Sequence, residues 1–208
     1  FQVASAPRKA ALTKANNAQI TSLVTQFDNS IDVLFLYDEK LIGYADDEGY
    51  DLALRIEAAV STSNSIFERS QLPVEMSVAG VSFFNPESTT NFPTEDPDSI
   101  IDELVDDQRV RRLMDRYQAD VVHFIGAENS SVCGLAFVAT DFDVSDNLVN
   151  RVSGASGAGY TSLSCTGSGT VAHEVGHNFG LNHDRYTLAN NASGGSGDQK
   201  DYHIPYGF

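Results

Sequence analysis

The stretch Thr170–Asp184, TVAHEVGHNFGLNHD, sets the tightest geometric condition in the chain. It holds three of the five histidines, His173, His177 and His183, with Glu174 directly after the first and Gly180 between the last two. On a helix, residues four apart lie one turn above each other, so His173 and His177 present two imidazoles on one side. His183 cannot join them on the same straight helix, because it would lie about 120° round and roughly 9 Å further along the axis. The helix has to stop, and Gly180 can take the positive φ that turns the chain back. Two ligands, a break and a third ligand returned to the same point describe a cation site, and H-E-x-x-H on a helix binds zinc. Glu174, about 100° round from His173, can reach an attacking water without being a ligand. At this composition the five fixed residues would arise by chance about once in 10⁵ chains of this length. A helix whose histidines merely satisfy polar contacts is therefore set aside.

Upstream, the pattern is that of a sheet with helical crossovers. Ile31–Tyr37 (IDVLFLY) is an apolar run of strand length. Asp51–Arg69 carries Leu52, Ile56, Val60 and Phe67 at helical spacing. Val74, Met76 and Val78, then Val81 and Phe83, alternate as in a strand. Asn85–Pro97 reads as a loop. A second helix is expected over about Ser99–Gln118, capped by Asp98 or Ser99, with Asp102 and Glu103 at the positive end of its dipole. Asp120–Ile125 is almost wholly apolar and suits a central strand buried on both faces. This βαβαβ order predicts an α/β fold with a mostly parallel sheet and right-handed crossovers. Two shorter strands are expected at Gly134–Thr140 and Gly159–Ser164.

The 208 residues suit one domain, and 41% hydrophobic and 10% aromatic content exclude a disordered acidic tail despite a net charge of −16. So acidic a body repels phosphate backbones and anionic lipid, which argues against nucleic-acid or membrane-surface binding. No apolar run approaches the roughly 18–20 residues of a membrane span. Residues 1–30 carry Arg8, Lys9 and Lys14 against Asp28, a net of +2, which leaves −18 for the remainder. This lead-in reads either as a remnant of a pro-segment or as a surface helix over Ala10–Val24; the domain proper is expected at 31–208. Cys133 and Cys165 fit one disulfide better than a metal site, because no C-x-x-C pair exists. A bridge would close a loop worth roughly 3 kcal/mol and imply an oxidising compartment; two free buried thiols are the alternative.

H-E-x-x-H-x-x-G-x-x-H is the metzincin signature, and Asp184 after the third histidine resembles the reprolysin-like (adamalysin-like) branch. IDVLFLY, VCGLAF and SCTGSGTVAHEVGHNFGLNHDR are similar to secreted bacterial reprolysin-like and peptidyl-Asp metalloendopeptidases. The resemblance covers about residues 31–208. It implies a metzincin-like catalytic domain with a twisted mixed, mostly parallel sheet, two long helices and a zinc-binding active-site helix. It further implies one catalytic Zn²⁺ on His173, His177 and His183, with Glu174 as general base and then acid for peptide hydrolysis. Gly134, Leu135, Ala136 and Phe137 would form the edge strand along which substrate lies, and a Cys133–Cys165 bridge fits the family pattern. Asp184 would anchor the segment after His183 or orient a ligand, the alternative being a plain surface aspartate.

One departure from the family concerns methionine. Metzincins carry a methionine turn beyond the third histidine, but Met76 and Met114 both lie upstream. Tyr202–Phe208 (YHIPYGF) resembles the approach to that turn, which leads to the expectation of a chain incomplete at its C-terminus. The implied protein is a bacterial, extracellular or periplasmic monomer acting on protein or peptide substrates, with its own pro-segment as a further partner. The competing reading is a zinc-binding but non-catalytic proform or fragment serving as a binding module; Glu174 favours the enzyme, since a decayed protease can keep its histidines and lose its base.

Other residues carry weaker signals. His123, inside an apolar strand, reads as a core histidine rather than a ligand, and His203 gains no role. The acidic run Glu95–Asp107 reads as a solvated helix face; Ca²⁺ there has no EF-hand pattern behind it. Asn129 and Asn191 begin glycosylation sequons, and Asn190–Gly197 reads as a nicking loop.

Overall fold

The computed structural model describes residues 29–86, 96–127, 132–138 and 157–183. Five strands form one sheet: β1 (Ser30–Tyr37), β2 (Glu75–Phe83), β3 (Val121–Gly126), β4 (Gly134–Ala136) and β5 (Ala158–Ser162). Their order is β2-β1-β3-β5-β4. The first four pair in parallel, and β4 closes one edge antiparallel to β5. The fold is thus the mostly parallel α/β sheet that the residue pattern predicts, mixed as the family resemblance implies.

Side chains alternate across the sheet, and each set has its own helices. Val33, Phe35, Val121 and Ile125 pack with α1 (Glu39–Glu48), α2 (Leu52–Arg69) and α5 (Thr170–Asn178). Leu34, Leu36, Val122, Phe124 and Tyr160 pack on the other face with α3 (Pro97–Asp106) and α4 (Gln108–Tyr117). Helix α2 buries Ile56, Ala59, Ser63 and Phe67, a stripe of three- and four-residue steps. Its start is set by Asp51, whose carboxylate accepts from the Leu54 amide at 3.1 Å. At the outer edge, the Asn64 side chain bonds both the amide and the carbonyl of Met76 in β2, at 2.7 and 2.9 Å.

Three local features differ from the expected elements. Helix α1 fell outside them because only Leu41 and Ala45 are buried in it. Its punctuation is nevertheless present, with Asp38 accepting from the Leu41 amide and Gly49 at φ 70° beyond the end. The single helix expected over Ser99–Gln118 is two, and its first cap is Asp96, with Pro97 opening the helix, rather than Asp98 or Ser99. The break falls at Asp107, which leaves helical geometry at ψ 121° and accepts from the Arg109 amide at 2.6 Å to start α4. An aspartate that caps the next helix cannot continue the previous one. In β2, the register shifts opposite Val33/Leu34, so the Met76/Val78 and Val81/Phe83 alternations belong to two phases separated by a bulge.

His123 lies fully buried in β3, with its Nε2 2.8 Å from Thr161 Oγ1 and its ring edge-on to Phe35. Its Nδ1 has no hydrogen-bond partner among the described residues. Burial pulls its pKa from 6.5 down to about 3, so the folded state holds this imidazole neutral. Because the folded pKa is the lower one, the stabilisation is present above about pH 6.5 and is lost as pH falls towards 3. Denaturant titrations across that window should lose about 1.4 kcal/mol per pH unit on account of His123. His123→Leu should show a shallower slope by that amount, and equal slopes would contradict the assignment.

Candidate metal centre

Helix α5 is bounded by two glycines with the same left-handed conformation, Gly169 and Gly180, each at φ 84°. A Cβ on Gly169 would in addition stand 2.7 Å from Ile66 Cδ1 of α2. Beyond Asn178 the chain closes a Schellman turn, in which the Gly180 amide donates to His177 O at 2.9 Å and the Leu181 amide to Gly176 O at 3.0 Å. Val171, Ala172 and Val175 bury one side of α5 against the sheet, while His173 and His177, four apart, share another. The turn then brings His183 back to them.

The three Nε2 atoms form a nearly equilateral triangle: 3.1 Å between His173 and His177, and 3.2 Å from each of them to His183. Tetrahedral coordination at Zn–N of about 2.0–2.1 Å requires nitrogens about 3.3–3.4 Å apart. The donor set therefore fits such an ion. The His177 Nδ1–H donates to Leu181 O at 2.6 Å, which leaves the lone pair on Nε2, facing the other two rings. Burial lowers the pKa of His173, with His177 and His183 adding to the effect, and burial likewise lowers that of His177. Both shifts favour neutral imidazoles, the form that binds metal. Among the described residues this is the one cluster of three or more His, Cys, Asp or Glu whose ligand atoms could hold an ion.

Glu174 is buried beside the triad at 5% exposure, and desolvation pushes its carboxyl up to about 7. A carboxyl poised there can take and return a proton near neutral pH. It abuts the edge strand: a Cβ on Gly134 would stand 2.5 Å from Glu174 Oε1 and 2.6 Å from Thr170 Cγ2. Sequence reasoning named Gly134 as part of the edge strand but had no signal for this contact, since only the fold brings the start of β4 onto α5.

Gly134, Leu135 and Ala136 make up β4; Phe137 follows it, its amide still donating to Ala158 O at 3.3 Å. The two cysteines are joined, with Cα atoms 5.5 Å apart, which ties the residue before β4 to the 3-10 helix Leu163–Ser168 that leads into α5. Asp184, His203, Asn129, Asn191, the Asn190–Gly197 loop, residues 202–208 and the lead-in up to residue 28 lie outside the described residues. No described helix is long and apolar enough to cross a membrane.

The sheet thus has one antiparallel edge, and two histidines of α5 meet a third beyond the turn that ends the helix. Residues 53–184 match the model of the Reprolysin-like family of metallo-peptidases, M12B. The match takes in well over half of the chain, which belongs to that family. A peptidyl-Asp metalloendopeptidase of Pseudomonas aeruginosa is 25% identical over 184 residues, covering 85% of this chain and 29% of that protein. The chain thus spans under a third of the relative's length. Among solved structures, a chain from a chaperone–substrate complex aligns at a TM-score of 0.56 and 21% identity, over 75% of this chain and 24% of that one. Metalloproteinase-II from Bacteroides fragilis aligns at 0.42 and 16%, over 76% of this chain and 44% of that one.

Metal analysis of the purified protein should find close to one equivalent of zinc. His177→Ala should abolish retention by removing both a ligand and the fixed tautomer, and zinc retained at wild-type stoichiometry in that variant would refute the site.

Proposed function

We propose that this chain belongs to a secreted zinc endopeptidase that hydrolyses peptide bonds in extended segments of protein substrates. One observation carries the reading: three imidazole Nε2 atoms converge within 3.2 Å, while a buried carboxyl, Glu174, next in sequence to the first of them, abuts the start of β4, the last strand of the sheet among the described residues. When bound by His173, His177 and His183, a zinc ion supplies Lewis acidity towards a peptide carbonyl and lowers the pKa of a water towards about 7. Glu174 takes the proton of the attacking water and delivers it to the leaving amine. Its burial keeps that proton out of bulk solvent and holds the carboxyl close to neutral affinity. A cation on the histidines would draw its pKa back down and favour the ionised, proton-accepting form.

Substrate is proposed to add to the outer edge of β4 as a further strand, so that backbone hydrogen bonds from Gly134, Leu135, Ala136 and Phe137 provide affinity. The disulfide supports the secreted setting, because such bonds persist in oxidising compartments. Asp184 is proposed to anchor the segment after His183 or to orient a ligand. Cleavage beside aspartate is a second reading, motivated by the printed activity of the Pseudomonas aeruginosa relative; it calls for a cationic subsite, for which Arg185 is the nearest candidate in sequence. Cleavage-site profiling of the full-length protein decides it, with aspartate enriched at the scissile bond if correct and indifference excluding it.

Casein hydrolysis by the full-length protein should vanish with a chelator, and Glu174→Ala should lower it by about 10²–10⁴-fold while zinc is retained. Equal residual activity in all three samples would sink the zinc-endopeptidase reading. Gly134→Ala should also retain zinc yet lose about 10-fold or more in kcat, because its methyl group displaces the Glu174 carboxyl; unchanged kcat would show that the contact has no bearing on the base.

A further inference from the structure

Asn178 immediately follows the ligand His177, ends helix α5 and is fully buried. Its side-chain amide nitrogen donates to Phe137 O at 3.1 Å and to Ala158 O at 2.9 Å. Ala158 O accepts the Phe137 amide as well, at 3.3 Å. The carboxamide thus bridges β4 and β5 where their ladder ends, one step beyond the Ala136–Gly159 pair. Two carbonyl acceptors demand two donors on one atom, which a carboxamide has; a serine offers one and an ionised aspartate none. Asn178 Oδ1 has no hydrogen-bond partner among the described residues. Burying a stranded acceptor costs stability, so core packing alone does not account for an asparagine at this position.

The other end of β4 is held differently. Cys133 is bonded to Cys165, its carbonyl accepts from the Ser162 amide at 2.9 Å, and Gly134 abuts Glu174. A strand of three residues on a sheet edge frays readily unless both ends are tied. Among the described residues, the tie from α5 to the far end of β4 is the Asn178 amide.

We propose that Asn178 is a positioning residue that fixes the edge strand against the histidine-bearing helix, so that an extended peptide paired with β4 meets the triad and Glu174 in register. This rests on the reading of β4 as the substrate strand. Loss of the two donors lets the Phe137 end of β4 drift from α5 while the histidines, held by the Schellman turn, stay in place. A peptide long enough to lie along β4 then loses binding, whereas a short one that reaches only the triad does not.

The test uses the full-length protein with Asn178→Leu, which keeps the side-chain shape and removes both donors, and Asn178→Ser, which keeps one. Amide hydrogen exchange, metal content and kcat/KM on peptides of about eight and about three residues are measured together. In Asn178→Leu, exchange at residues 134–138 should quicken about 10-fold or more while β3 keeps its protection and zinc stays bound. The longer peptide should lose about 10-fold in kcat/KM, mostly through KM, and the shorter less than about 2-fold, with Asn178→Ser between the two extremes. Unchanged exchange at 134–138 overturns the proposal, as does an equal loss on both peptides or a loss of protection throughout, either of which marks a merely structural residue. Faster exchange without discrimination between the peptides also overturns the positioning role. A wild-type protein that turns over neither peptide sinks the peptidase reading instead, and the exchange arm then still decides whether Asn178 ties β4.

Discussion

Three imidazole Nε2 atoms gathered within 3.1–3.2 Å of one another are a donor set suited to a cation, and much of the described structure around α5 serves to bring them together. A helix alone aligns two of the rings. The third requires a reversal within six residues, which fixes Gly180 in a left-handed conformation and sends the Leu181 carbonyl back to His177. The same carbonyl orders the tautomer, so one turn supplies both the direction of the chain and the direction of a proton. Gly169 performs the matching role at the entry, where its φ of 84° strains any side chain and Ile66 Cδ1 would have to give way to a Cβ.

Around that centre the electrostatics are set by exclusion of water rather than by ion pairs. Glu174 is raised to about 7 and His123 is lowered to about 3, both by desolvation, one beside the triad and the other in the sheet beneath α5. Each shift disfavours charge in the layer between α5 and the sheet.

How legible this was depends on the distance over which each feature is encoded. The triad and its terminating glycine sit within eleven residues and could be read directly, as could the buried runs that become β1 and β3 and the stripe of α2. Helix α1 was missed because two buried side chains leave almost no periodic signal, and the α3–α4 junction because Asp107 looks like one more acidic residue on a continuing face. The contacts of Gly134 with Glu174 and of Asn178 with Phe137 were beyond reach for another reason. They join residues about forty apart in sequence, and no local pattern marks a glycine or an asparagine for a partner that only strand order brings near.

The Asn64 side chain on Met76 bears on how such a domain stays dispersed. A sheet edge with unpaired backbone groups invites other copies to stack on it, and a sheet that does not close into a barrel has two such edges. Along β2, the bulge twists the strand and the Asn64 carboxamide occupies a backbone amide and carbonyl that an incoming strand would need. Among the described residues, the β2 edge is thereby made a poor template for a strand from another copy.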